Sequence, residues 1–248
     1  MGWIVKERRQ SAREQELYEK FWAEGWRATI RGPYDAPEMH ADGQDPGWWR
    51  RVAARCLGER VMYLSIKNSP APNLNRLTEL TNLRWLCISS TRLKDISPLS
   101  RNSSLSRLEL DYTDVYDLKP LADLTNLKSL DMSGTPIDDI QPLSQLTNLT
   151  WVSLSGTRVK DIAPLSKLSN LEGVAIDDTA ISDLRPLAKL KKLRTLFADN
   201  TQVTDLAPLG TLSSLKELYL EKTKVTKDQI DALQIRLPNC EIRHDPFP

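Results

Sequence analysis

An α/β solenoid is the fold class the sequence predicts, and three observations predict it. First, an apolar residue opens a unit at Val61, Leu83, Leu105, Leu127, Leu149, Leu171, Leu193, Leu215 and Leu237, always 22 residues apart. Second, columns of Thr, Asp and Pro recur in the same register. Third, the segments on either side of the array break the pattern, as caps over exposed apolar ends must. The chain therefore divides into a helical cap with a long loop over 1–60, eight repeats over 61–236, and a terminal half repeat with a tail over 237–248.

The cap comes first. Between Lys6 and Trp26, Leu17, Tyr18, Phe21, Trp22 and Trp26 recur at helical spacing, which predicts an amphipathic helix. Asp45-Pro46 reads as an N-cap followed by Pro at the first helical position. The helix it opens places Trp48 or Trp49, Val52, Ala53 and Cys56 on one face. Thr29–Gly47, rich in Pro, Gly and Asp, reads as a long loop between the two helices. Trp22, Trp26, Trp48 and Trp49 suit a cap packed on the first repeats.

The unit Leu149–Asn170 represents the array. Val152 and Leu154 point inward from a short strand with period two, and Val159, Ile162, Leu165 and Leu168 complete the inward set. No unit buries this set alone, so stacking must join the units into one core. Thr157 shares its column with Thr91, Thr113, Thr135, Thr179, Thr201 and Thr223, and each hydroxyl can bond backbone groups at a turn. Asp95, Asp117, Asp139, Asp161, Asp183 and Asp205 each precede a Pro by three residues. A metal ladder is one interpretation of that acidic column. Scaffolding is the better one: each Asp accepts turn amides, and each Pro presets φ for a short helical turn. At the far end, Thr226-Lys227-Asp228-Gln229 is a capping box opening a helix to about Leu237. Leu237, Cys240 and Ile242 then restate the strand pattern, which places the Cys240 thiol in the core.

The pattern L-x-x-L-x-L-x-x-T-x-V-x-D-I-x-P-L-x-x-L over 61–242 resembles the internalin-like class of leucine-rich repeats. That resemblance implies a right-handed leucine-rich repeat horseshoe, with a parallel concave β-sheet and a convex side of 3₁₀ turns. It also implies a bacterial protein whose common property is protein binding on the concave sheet. The family usually carries Asn where this chain has the Thr column.

Bulk properties exclude several function classes. With 34 basic and 33 acidic residues, the chain has no global pull toward nucleic acid or an anionic membrane. No apolar run approaches a membrane span. The start Met1-Gly2-Trp3-Ile4-Val5-Lys6 lacks a secretory signal, so a cytoplasmic location is expected, or delivery into a host cell without a cleavable signal peptide. Three cysteines at unrelated spacings argue against a disulfide framework or zinc site, and no cofactor or metal is expected.

Function is expected on the concave face, at the positions two, four, six and seven places after each unit start. The aromatics there are Tyr63, Trp85, Tyr112, Trp151, Phe197 and Tyr219. Glu109, Asp111, Asp131, Asp177, Asp178, Asp199, Glu217 and Glu221 stand against Lys67, Arg107 and Lys222, so the face is acidic. Aromatics bordered by acids suit a protein-binding groove for a basic or amphipathic segment, and repel nucleic acid. Cys87 shares this face, with no base assignable to it. The expected function is a non-catalytic protein-interaction module, such as a bacterial effector or adaptor, and a homodimer through the cap is compatible with it. The alternative is an enzyme with its chemistry in the first 60 residues, where only Cys56 and His40 offer reactive groups.

Overall fold

The structure, a computed structural model, describes residues 28–31, 39–40, 63–67, 74–79 and 83–246. Nine parallel strands, β3 (Tyr63–Lys67), β4 (Trp85–Ser89), β5 (Arg107–Glu109), β6 (Ser129–Asp131), β7 (Trp151–Ser153), β8 (Gly173–Ala175), β9 (Thr195–Phe197), β10 (Glu217–Tyr219) and β11 (Glu241–Arg243), lie in sequence order in one sheet. From β3 to β10 each strand pairs with the next at a register of one unit, as in Leu130↔Val152 and Val152↔Val174. Between strands the chain returns through short 3₁₀ turns such as Ala163–Lys167. The inward set is fully buried: Leu149, Val152, Leu154, Val159 and Leu165 are 0 % exposed. One continuous leucine core runs the length of the array.

The polar columns have the structural roles their chemistry suggests. The Oδ1 atoms of Asp95, Asp117, Asp139, Asp161, Asp183 and Asp205 each accept the backbone N–H two residues on, at 2.8–2.9 Å. The Pro behind each Asp occupies the first turn of the following 3₁₀ segment, where a missing N–H costs nothing. From Thr113 to Thr223 each hydroxyl donates to the carbonyl three residues back, closing its own turn. Thr91 departs from this: its Oγ1 accepts from the Leu93 amide at 3.4 Å.

A further column has no uniform sequence signature, although Gly134, Gly156, Asp178 and Asn200 are of the types that favour its conformation. Ser90, Tyr112, Gly134, Gly156, Asp178, Asn200 and Lys222, one per unit, all have φ between 52° and 68°. In this left-handed conformation the amide of each residue from Ser90 to Asn200 donates to a carbonyl of the next coil, as Tyr112 does to Ser133 at 2.7 Å. Inter-coil bonding therefore enforces a backbone state that Tyr112 and Lys222 do not favour by themselves.

The ends modify two expectations. Thr29–Gly47 is not wholly a loop: β1 (Ala28–Arg31) pairs antiparallel with β3 and with β2 (Met39–His40), extending the sheet to eleven strands. The β-branched pair Thr29-Ile30 suits a strand, and its addition covers the free edge of β3. The helices expected within 6–26 and 45–56, with Trp22, Trp26, Trp48, Trp49 and Cys56, lie outside the described residues, as does Val61. At the other end, α1 (Lys227–Arg236) opens on the full Thr226/Gln229 capping box. Because this α-helix replaces a shorter 3₁₀ turn, Leu218 pairs with Ile242, two residues later than a 22-residue step requires. The Cys240 amide bonds the Leu237 carbonyl as that of Leu215 bonds Leu212, so Cys240, not Leu237, opens the last unit.

Candidate partner-binding surface

Most repeat strands are only three residues long, so two positions per coil look out from the strand itself. Trp85, Glu109, Asp131, Trp151, Phe197 and Tyr219 occupy such positions, all partly buried. Asp111, Tyr112, Asp177 and Asp199 lie just past the strand ends, on the rim of the sheet. Tyr63 pairs with Trp85 through the backbone at the head of β3; its side chain lies outside the described residues.

The aromatics gather into a track rather than standing singly. Trp151 on β7 meets Phe197 on β9 edge to face, with ring centroids 6.1 Å apart. Phe197 stacks on Tyr219 of β10 at 4.5 Å, and the Arg243 guanidinium of β11 lies 5.0 Å from the Tyr219 centroid. Trp151 crosses a whole strand to reach Phe197 because β8 presents Gly173 and Ala175 there. A Cβ on Gly173 would stand 2.2 Å from the indole Cε3 and Cζ3, so the ring lies on the bare backbone. Tyr112 repeats the device one rim position away: a Cβ on Gly134 would meet its ring at 2.6 Å. In both cases the signal was present in the sequence as an aromatic followed 22 residues later by Gly.

Trp85 belongs to a separate group. The Arg107 guanidinium lies 4.4 Å above its ring and donates to Glu109 Oε1 at 2.6 Å, so one indole face is already covered. Tyr112, 67 % exposed, is the most open of the candidate residues that the structure describes.

Several acids hold the rim together. Asp177 Oδ1 accepts the Asp199 amide at 2.9 Å and its Oδ2 accepts the Ser155 hydroxyl at 3.0 Å. Asp199 Oδ1 accepts the Glu221 amide at 2.6 Å, and Asp245 accepts the Lys222 amide at 2.6 Å. Asp111 accepts from Ser89, and Asp131 from the amide and hydroxyl of Ser133. Asp111, Asp177, Asp199 and Asp245 thus tie neighbouring coils together, whereas Asp131 bonds within its own coil. Burial pushes the Asp199 carboxyl above the usual range, with Asp177, Glu221 and Asp245 adding repulsion against the Glu221 amide bond. Cys87 is 1 % exposed, not open on the concave face, and burial raises its thiol, which disfavours the reactive thiolate. Burial likewise takes the Cys240 thiol up to about 11. Among the described residues no cluster of ligating side chains could hold a metal ion, and no helix is long and apolar enough to cross a membrane.

This architecture is that of the crystal structure of internalin C2 from Listeria monocytogenes, which superposes with a TM-score of 0.71 at 30% identity, covering 75% of this chain and 81% of that one. The chain belongs to the internalin-like leucine-rich repeat family. The same fold is seen in a leucine-rich repeat protein of Leptospira interrogans, at TM-score 0.68 and 24% identity over 73% of this chain and 48% of that one. Internalin F of Listeria monocytogenes matches at TM-score 0.50 and 22% identity, over 74% and 68% of the two chains. No family model and no curated protein sequence matches the chain. For an internalin-like array, the Trp151–Phe197–Tyr219 track is the feature of the sheet that repeat stacking alone does not require.

Proposed function

We propose that this internalin-like chain is a non-catalytic module, a bacterial effector or adaptor, that binds a partner protein on its concave sheet. The observation that carries this proposal is the continuous aromatic track from Trp151 through Phe197 to Tyr219, partly exposed in a sheet whose other outward positions from β5 to β11 are small or polar. Rigid aromatic rings present large contact area at low entropic cost, and clustered rings are the usual anchors of protein interfaces. Asp131 and Glu217 beside the track, Glu109 two strands before it, and Asp111, Asp177 and Asp199 on the rim favour a basic or amphipathic segment as the occupant. Trp85 and Tyr112 extend the same face toward its first coils, where the Tyr63 backbone pairs with that of Trp85.

The test is affinity capture from native and host lysates by wild type and by a W85S/W151S/F197S/Y219S variant, with circular dichroism to confirm an intact array. A protein retained by wild type alone is the expected result. Equal retention by both would remove the concave sheet as the binding surface.

A further inference from the structure

We propose that the rim through which the chain enters its strands is a docking surface for an anionic lipid bilayer. The net charge of +1 conceals a segregation of charge. Residues 189–194 read Lys-Leu-Lys-Lys-Leu-Arg, and Leu190 and Leu193 are fully buried. Lys189, Lys191, Lys192 and Arg194 must therefore all project outward from one short stretch. Lys167 stands one coil before Lys189 and Lys216 one coil after Arg194, both exposed. Arg185 joins them across an open notch of about 580 Å³ that Lys167 and Lys189 also line.

The chain's own carboxylates neutralise little of this patch. Asp183 holds Arg185 at 2.8 Å, and Glu172 lies 3.7 Å from Arg194. Lys191 is steadied by Thr211 and the Ala188 carbonyl, and Lys192 by Asn170 Oδ1, all uncharged partners. The side chains of Lys167, Lys189 and Lys216 make no hydrogen bond or ion pair with any described residue. On the opposite rim, where the chain leaves its strands, Asp177, Asp178, Asp199 and Glu221 outnumber Lys222. An anionic surface would attract the first rim and repel the second, turning the array edge-on with its concave face unobstructed.

The chemistry of the patch selects lipid among polyanions. Its unpaired cations are ammonium groups on flexible stems, spread over neighbouring coils about 4.8 Å apart. Such point charges suit mobile headgroups that rearrange beneath them. Both guanidiniums, the groups built for bidentate phosphate recognition, face the chain's own carboxylates. Among the described residues, none of the side chains that make up the patch is an aromatic ring on which a nucleic acid base could stack.

The experiment is cosedimentation of the full chain with phosphatidylcholine vesicles, with and without phosphatidylserine, at low and high salt. Each cation near such a surface is worth roughly a five-fold change in partitioning. A K167S/K189S/K216S variant, which breaks no hydrogen bond or ion pair within the described residues, should bind on the order of 100-fold more weakly with an unchanged melting temperature. Binding by wild type should require phosphatidylserine and disappear at high salt. Failure to bind phosphatidylserine vesicles, or undiminished binding by the triple variant, overturns the proposal. So does retention on heparin or a DNA duplex at a salt concentration where the vesicles are not bound.

Discussion

Replacing Gly173 with Ala would perturb the aromatic track without touching an aromatic residue. Gly173 has no left-handed φ, so its backbone accepts a side chain; the obstacle is the Trp151 indole at 2.2 Å from the new Cβ. The ring must lift away, losing its edge-to-face contact with Phe197, worth about 0.5–1.5 kcal/mol. It also re-exposes about 50 Å² of one indole face, roughly 1 kcal/mol at 25 cal/mol per Å². Against these stands the gain from replacing Gly in a strand, about 0.5–1 kcal/mol. The net expectation is a destabilisation of about 1 kcal/mol, or a melting shift of roughly 2–4 °C for an array of this size. In a W151S background only the gain remains, so Gly173→Ala should become stabilising. Chemical denaturation of the four proteins in this double-mutant cycle should give a coupling of about 2 kcal/mol. A coupling near zero would show that Trp151 does not lie on Gly173, and the account of how the track spans β8 would fail.

Two further outcomes test the scaffold. Leu154→Ala empties a fully buried site in the middle of the array and should cost about 2–5 kcal/mol in chemical denaturation; a cost below about 1 kcal/mol would contradict the inward register. The Asp199 carboxyl is raised in the folded state, so its contribution to stability is fully present below the ordinary carboxylate value and is lost as pH rises through the folded value. Asp199→Asn keeps an oxygen for the Glu221 amide and removes the charge, so it should melt no lower than wild type at neutral pH. That difference should close as the pH falls through the carboxylate range, and a variant that melts well below wild type at neutral pH would refute the assignment.

Where sequence inference reached and where it stopped follow from range. The inward leucines, the threonine turns and the Asp–Pro columns were legible because each is a local requirement repeated at a fixed interval. The last unit escaped because an α-helix and a 3₁₀ turn consume different numbers of residues, which moved Ile242 opposite Leu218. The surface was harder still. The sequence showed the rim acids only as an acidic face, yet Asp177 and Asp199 bind amides of the following coil. Arg107 covers Trp85 for a similar reason: its neighbours are set by stacking, one unit away, rather than by its place in the strand.

The sequence by itself determined the solenoid, its period, its core and its family, because burying one apolar stripe per unit leaves stacking as the sole solution. Only the tertiary structure decided that Trp151, Phe197 and Tyr219 form one surface, that Tyr112 and Lys222 adopt a left-handed backbone, and that Asp177 and Asp199 are tied into the amides and hydroxyls of neighbouring coils. Each of these depends on what the adjacent coil presents: a missing Cβ, a waiting carbonyl, or a carboxylate within reach.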